Sequence, residues 1–264
     1  MKLLNTVRAS PLIWFVFLAC VGGWTSYFVA GIDPSADNNP LGPLFAAFLV
    51  LLFLGKPALK EWGSRLITVR RSPVWYSVAF IVPILITAAS VLINHLLGAP
   101  LPTGLQLSGW TNLGGSLVAM VIFVGVGEEA GWTAFAAPRL LNRHSFVPAW
   151  LILSAIRITW HLPMMLNTHL SWTLGVGGNL FFQFVLLWLF IRSGRQWFPA
   201  AIWHATLNTA GGMFFFRMVT GDDNERLGTI LVASYGLLAG ALALFDRKRL
   251  FPSVRQINAE NNAS

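Results

Sequence analysis

The sequence predicts an all-α membrane protein, a polytopic bundle of about eight transmembrane helices, from three observations. Hydrophobic residues make up 55% of the 264-residue chain, charged residues only 11%, and the mean hydropathy is +0.64. A soluble domain of this size is less apolar. The apolar residues form stretches close to the roughly 20 residues that cross a bilayer as a helix, and Lys and Arg concentrate in the loops between them.

The apolar stretches divide the whole chain into spans joined by short loops. In order, they are Pro11 to Ala30, Leu41 to Leu54, Val74 to Leu97, Leu113 to Thr133, Phe146 to Leu166, Trp172 to Ile191, Trp197 to Phe216 and Leu227 to Phe245. The second stretch is short, so a tilted span, a locally thinned bilayer and a re-entrant segment all remain open for it. The loops leave no room for a soluble domain, and we expect residues 1–264 to form one membrane domain.

The loop charges predict the orientation of the bundle. With the N-terminus inside, 15 of the 18 Lys and Arg residues lie on the cytoplasmic side, Arg217 and Arg226 lie opposite, and Arg157 lies within a span. The cytoplasmic set is Lys2, Arg8, Lys56, Lys60, Arg65, Arg70, Arg71, Arg139, Arg143, Arg192, Arg195, Arg247, Lys248, Arg249 and Arg255. This is the positive-inside pattern. It predicts that both termini are cytoplasmic. We expect a multi-pass protein of the cell membrane, namely a prokaryotic plasma membrane.

The net charge of +8 does not indicate a nucleic-acid-binding protein, because the basic residues follow the loops instead of forming one basic surface. The partner we expect from the composition is the lipid bilayer. Cys20 is the single cysteine, which excludes an internal disulfide and a thiolate metal cluster.

Three spans carry polar groups that bilayer interiors normally exclude. They are the pairs Glu128 with Glu129, Arg157 with His161, and His204 with Asn208. Ionisable residues inside a membrane usually face a bundle interior or a wet cavity and mark a functional site. The second and third pairs are spaced i, i+4, so each is expected to share one helix face.

The adjacent carboxylates suggest a division of labour. Glu128 and Glu129 are about 100° apart around a helix, so we expect that they do not both point at one neighbour. One would face a polar cavity as a general base, and the other would be held by a cation or by hydrogen-bond donors. Water activation is the chemistry these residues offer, because neither Ser nor Cys stands beside a plausible base in these spans.

These residues resemble the CPBP family of intramembrane proteases, which includes type II CAAX prenyl endopeptidases and bacteriocin-immunity proteins. Gly127-Glu128-Glu129-Ala130-Gly131-Trp132, continuing to Phe135 and Pro138-Arg139-Leu140, is similar to the first family motif. Trp160-His161-Leu162-Pro163 is similar to the second, and His204-x-x-x-Asn208 to the third. The match runs from Leu113 to Gly212, so the protease-like core is expected at residues 113–212.

The resemblance implies an α-helical membrane endopeptidase, either glutamate-type or a metalloprotease, whose partner is a membrane-associated protein or peptide substrate. In that reading Glu128 and His161 activate water, while His204 and Asn208 steady an oxyanion or a metal. The sequence departs from the family pattern at Thr133, where the first motif often has Arg, and at Arg157, where the second often has an aromatic residue. We hypothesise that Arg157 replaces the missing cation and neutralises Glu129.

The sequence leaves the cofactor open. Two His and one Glu are a familiar zinc ligand set, so His161, His204 and Glu128 would be the ligands of a zinc enzyme. Metal-free water activation is slightly favoured, because amides such as that of Asn208 are poor zinc ligands.

Two other function classes compete with the protease. One is a catalytically silent binding or immunity scaffold of the same family, and the other is a proton-coupled transporter. A transporter is disfavoured because the matching halves or broken helices of that class are not evident. The substrate and the oligomeric state are not indicated by the sequence.

Counting about 1.5 Å per residue predicts unequal depths for the site residues. Glu128 and His204 would then lie near the cytoplasmic third of the bilayer and His161 deeper, unless Phe146 to Pro148 is interfacial, which would bring His161 closer to them.

Overall fold

A computed structural model describes residues 2–29, 37–68 and 73–251, and within these ranges the regular structure is entirely helical. The first half contains α1 (Lys2–Ala9), α2 (Pro11–Gly23), α3 (Thr25–Val29), α4 (Gly42–Leu54), α5 (Lys56–Ile67) and α6 (Pro73–Leu96). The second half contains α7 (Gly104–Leu141), α8 (Phe146–Trp160), α9 (Leu162–Leu166), α10 (Thr173–Arg192), α11 (Phe198–Leu207), α12 (Asp222–Phe245) and α13 (Arg247–Leu250). Arg70, Arg71 and Arg255 of the charge pattern lie outside the described residues.

Four helices in the described ranges are long and apolar enough to cross a membrane, namely α6, α7, α10 and α12. Pro11–Tyr27, α4 and α8 are apolar but shorter. The all-helical membrane fold is therefore confirmed, while the count of eight spans and the side on which the termini lie stay predictions.

The predicted fourth span is much longer than its apolar stretch. Instead of Leu113 to Thr133, α7 runs over 38 residues from Gly104 to Leu141. Its path includes two π-helical turns, Val121–Val126 and Trp132–Ala136, on either side of the α-helical turn Gly127–Gly131. Such π turns often occur at functional sites, and here they flank the two carboxylates.

The predicted fifth span is interrupted at His161. Helix α8 ends at Trp160 and α9 begins at Leu162, because Pro163 lacks the N–H that a continuing helix would donate. The Trp160 carbonyl at this break accepts two side-chain hydrogen bonds from another part of the bundle: one from the indole of Trp24 at 2.9 Å and one from the amide of Asn38 at 2.7 Å. The predicted span Phe146 to Leu166 therefore consists of two helices, and His161 is the C-cap residue of α8, where its backbone N–H still donates to the Arg157 carbonyl at 3.0 Å.

Among the four long apolar helices burial is greatest in α10, where 61% of the apolar window lies inside the bundle, compared with 22% for α6 and 28% for α12. Helix α10 packs against α8, α11 and α12, and α11 packs against α7. The helices that carry the unusual polar groups therefore surround or contact the most enclosed of these four helices.

Candidate active site

Glycines place the first motif close to another helix. A Cβ added at Gly127 would lie 2.6 Å from the Pro40 carbonyl oxygen, and one added at Gly131 would lie 2.6 Å from that of Pro43. Only glycine permits this approach of the two backbones. Between these glycines, the buried Trp62 of α5 donates its indole N–H to the Ala130 carbonyl at 3.0 Å. The turn that carries the two carboxylates is therefore fixed by contacts with the Pro40–Pro43 backbone and with Trp62.

Glu129 lies at the centre of a buried ionic cluster. Its side chain is 0% exposed and accepts hydrogen bonds from the guanidinium of Arg157 and the hydroxyl of Thr133. The Nδ1 atom of His204 lies 2.8 Å from Glu129 Oε1. Three groups from three helices thus surround one carboxylate, as a buried charge requires.

Glu128 has a different environment from its neighbour. Its side chain keeps 6% exposure, and Oε2 accepts a hydrogen bond from the Trp132 indole at 3.3 Å. The same oxygen lies 3.7 Å from Arg157 Nη1, an N–H group that has no hydrogen-bond partner within the described ranges. No hydrogen bond from a described residue reaches Glu128 Oε1, so this oxygen is the carboxylate atom available to a further donor.

The two carboxylates approach the same cation, and the expectation that they would not share a neighbour was wrong. The guanidinium of Arg157 is a planar fork with two terminal nitrogens, and one faces each glutamate. The expected contact of Arg157 with Glu129 is present. Thr133, which stands where the family motif often has Arg, donates to the same carboxylate.

His161 presents one ring nitrogen to a cavity. Its Nδ1 lies 2.8 Å from the Arg157 carbonyl oxygen, and because a carbonyl only accepts, Nδ1 carries the proton. In the neutral ring this leaves Nε2 as an acceptor. The hydrogen bond to the helix end thus fixes both the orientation and the tautomer of the ring.

His204 and Asn208 lie one turn apart where α11 passes into the π turn Asn208–Gly212. The Glu129 carboxylate orients His204 through Nδ1, and the ring of Phe182 packs against it with centroids 4.9 Å apart. The Asn208 side chain has no hydrogen-bond partner within the described part of the chain, so its amide is available to a ligand.

A cavity of about 140 Å³ brings His161, His204 and Asn208 together. One water needs roughly 10–15 Å³ on this measure, so the cavity has room for several. Apolar side chains from α10 and α12 form much of its wall, including Phe182, Leu231 and Val232. Glu128 is not among the lining residues, and His204 joins the cluster to the cavity, since it contacts Glu129 and also lines the cavity.

His161 and His204 line the same cavity, while the depth of each residue in a bilayer stays a prediction. The depth count took the fourth span to end at Thr133, whereas α7 continues to Leu141. Glu128 and Glu129 therefore lie well inside a long helix.

The proposed zinc ligands do not form a ligand group in this arrangement. Among the described residues, no three side chains of His, Cys, Asp or Glu are placed so that they could hold a metal ion. The Nδ1 atom of His204 contacts Glu129, and the Nδ1 atom of His161 donates to the Arg157 carbonyl.

Sequence reasoning did not assign a contact in the site to three of its residues. Trp132 and Thr133 lie four residues after Glu128 and Glu129 and bind them, and an i, i+4 search for donors would have found both. Asn179, which lines the cavity from α10, is buried and donates to the Gly175 carbonyl at 2.8 Å. A polar residue in an otherwise apolar span was the available signal.

Comparison with known proteins agrees with the resemblance in the motifs. Residues 110–210 match the family described as type II CAAX prenyl endopeptidase Rce1-like. This range contains the three motifs and all of the site residues. No curated protein matches the chain.

Proposed function

Starting from the type II CAAX prenyl endopeptidase Rce1-like match over residues 110–210, we propose that this protein is an intramembrane endopeptidase. It hydrolyses a peptide bond of a membrane-associated protein or peptide with an activated water. The observation that supports this most directly is the shared cavity of His161, His204 and Asn208, together with two buried carboxylates, one of which contacts His204.

Glu128 is the general base of the proposed reaction. It is the less buried of the two carboxylates, and the described residues provide no donor to its Oε1 atom. Glu128 takes a proton from water, the water oxygen attacks the peptide carbonyl carbon, and the C–N bond breaks in the next step. The proton then passes to the amine nitrogen that leaves. His161 orients the water through its unprotonated Nε2 atom.

Asn208 and His204 stabilise the negative oxygen of the tetrahedral intermediate. The Asn208 amide carries two N–H donors that no described residue occupies. His204 lies against Glu129 through Nδ1, and its opposite nitrogen donates when the ring is protonated beside that carboxylate. Fixed donors aimed at a developing oxyanion are among the largest contributions to hydrolytic catalysis.

Arg157, Thr133 and Glu129 act as positioning residues. Their contacts satisfy one carboxylate completely and hold the His204 ring. A carboxylate that orients a histidine in this way also stabilises the ring when it becomes charged. The cluster therefore supports the chemistry without contacting the substrate.

The test is a comparison of membrane peptides from cells that express the wild type or Glu128→Gln. Glu61→Gln is a matched control, because Glu61 is an exposed carboxylate whose pairing with Arg65 at 2.9 Å lies outside the site. We expect fragments that depend on Glu128 and persist in Glu61→Gln. A substrate found in this way should then be cleaved by the purified wild type.

The competing function is a silent scaffold that uses the same cavity for binding. It predicts identical peptides in all three strains and full binding or immunity function in Glu128→Gln. That outcome contradicts the endopeptidase proposal.

A further inference from the structure

The catalytic cavity continues into a second, larger cavity. The second cavity measures about 420 Å³ and shares Leu170, Leu174, Leu207, Asn208 and Leu231 with the first. Because Asn208 belongs to both walls, a peptide in the larger cavity lies directly beside the proposed oxyanion donor. We call this second cavity the vestibule.

The vestibule lies at one end of the bundle. Its further lining residues include His169 and Ser171, which lie between α9 and α10, and Gly212 at the end of the π turn after α11. Asn224 and Glu225 from the first turn of α12 complete it. All of these segments lie at the end of the bundle remote from the start of α8 and the end of α12.

The charges of the two ends differ. At the vestibule end the acidic residues Asp222, Asp223 and Glu225 begin α12, and Arg226 is paired with Asp223 at 2.5 Å. At the opposite end stand the basic residues of α5, of the α10 to α11 connection and of α13, including Lys60, Arg195 and Lys248. Lys and Arg favour the cytoplasmic side of a membrane.

We propose that the substrate reaches the catalytic cavity through the vestibule from the extracytoplasmic side of the membrane. This inference rests on the proposed function and specifies its substrate class. The substrate is an extracytoplasmic or outer-leaflet segment of a membrane-associated protein or peptide. A cytoplasmic C-terminal tail would have to cross the bilayer to reach the same cavity.

Two glycines provide a matched test of access. Gly212 lines the vestibule and Gly63 lies in α5 at the basic end; a Cβ added at either position meets no atom within 4 Å. Each is replaced by Cys in the full chain, where the native Cys20 is buried. Spheroplasts are treated with a membrane-impermeant maleimide before or after permeabilisation.

We expect Gly212→Cys to be labelled in sealed spheroplasts and Gly63→Cys only after permeabilisation. Labelling of Gly212→Cys should also cause a loss of cleavage of the identified substrate, while labelled Gly63→Cys keeps its activity. Unlabelled wild type controls for reaction at Cys20. The accessibility measurement needs no catalytic turnover, so it remains interpretable if the proposed enzymatic activity fails.

Two results would overturn the proposal. In the first, Gly212→Cys reacts only after permeabilisation and Gly63→Cys reacts from outside, which places the vestibule in the cytoplasm. In the second, outside labelling of Gly212→Cys is complete and cleavage is unchanged, which separates the vestibule from the substrate path. Should either variant fold poorly, the vestibule residue Ser171 and the α5 residue Ser64 serve as the replacement pair, and the same outcomes apply.

Discussion

The ionic cluster around Glu129 and the cavity beside it contain similar residue types. In the cluster the polar groups have hydrogen-bond partners, whereas in the cavity several of them have none among the described residues. In the cluster, Glu129 is completely enclosed and has a cation, a hydroxyl and an imidazole as partners. In the cavity, the Asn208 amide and the Nε2 atoms of the two histidines have no partner among the described residues. His204 belongs to both regions, with Nδ1 in the cluster and its ring on the cavity wall.

The difference separates groups that maintain the structure from groups that can react. A buried polar group without a partner is costly, so a protein keeps such groups unpaired where a ligand completes them. Adjacent positions in the sequence fall on different sides of this division, since Glu129 is satisfied while Glu128 retains a free oxygen.

The largest expected effect distinguishes the two carboxylates. Glu128→Gln removes the base but preserves the size of the side chain, and we expect kcat/KM to fall by about 100-fold to 10,000-fold with an almost unchanged folded yield. Glu129→Gln should mainly lower the folded yield. Near-normal turnover of Glu128→Gln on the identified substrate would move the base to another residue, with His204 as the first choice.

Removing the cation should destabilise the cluster. Arg157→Leu leaves Glu129 buried without its charge partner, which typically costs about 3–5 kcal/mol, and the folded fraction in mild detergent should fall accordingly. Adding Glu129→Gln should restore part of that loss. Purely additive losses in this double-mutant cycle would show that the two residues do not act as a pair.

On the cavity side, Asn208→Ala should reduce kcat without affecting stability. Loss of one oxyanion donor typically lowers kcat by about 100-fold to 1,000-fold, and the described residues lose no hydrogen bond to this side chain. Steady-state kinetics and a thermal unfolding curve on the same preparation measure both effects. A lower melting temperature with normal kcat would assign Asn208 to packing between helices instead.

A smaller effect is expected from Thr133→Val, which removes one hydrogen bond to a charged carboxylate. Such a bond typically contributes about 1.5–3 kcal/mol, while Thr133→Ser retains the hydroxyl and serves as the control. Thermal stability should order the variants as wild type, Ser and then Val. Equal stability of Ser and Val would mean that the hydroxyl does not support Glu129.

Chelation should have the smallest effect of all. Because the described residues do not assemble a metal ligand group, purified protein should keep its activity after exhaustive treatment with a chelator and contain far less than one zinc per chain. Stoichiometric zinc, with activity lost on its removal and regained on its return, would reverse this and make His161, His204 and Glu128 the ligands to examine.

The sequence by itself determined that the protein is a helical membrane protein and which polar residues within its spans are the candidate site residues. The apolar composition and the span-length stretches suffice to predict the fold class, because a chain in lipid must satisfy its backbone hydrogen bonds internally. The cost of placing polar groups in hydrocarbon suffices to identify the candidate site residues, because few such residues occur in spans without a role. The unusual combination of Thr133 and Arg157 also allowed the Arg157 contact with Glu129 to be anticipated.

Only the tertiary structure decided how these residues divide into cluster and cavity. The angle between consecutive helical residues predicted that Glu128 and Glu129 would point at different neighbours. The guanidinium of Arg157 nevertheless reaches both carboxylates, because it belongs to a long side chain that comes from another helix. Pro163 marks the interruption at His161 in the sequence, but the donors to the Trp160 carbonyl at that break, Trp24 and Asn38, are distant in sequence and come from the tertiary structure. Which end of the bundle the cavity opens towards is likewise set by how α10, α11 and α12 pack, a property that no single stretch of the chain contains.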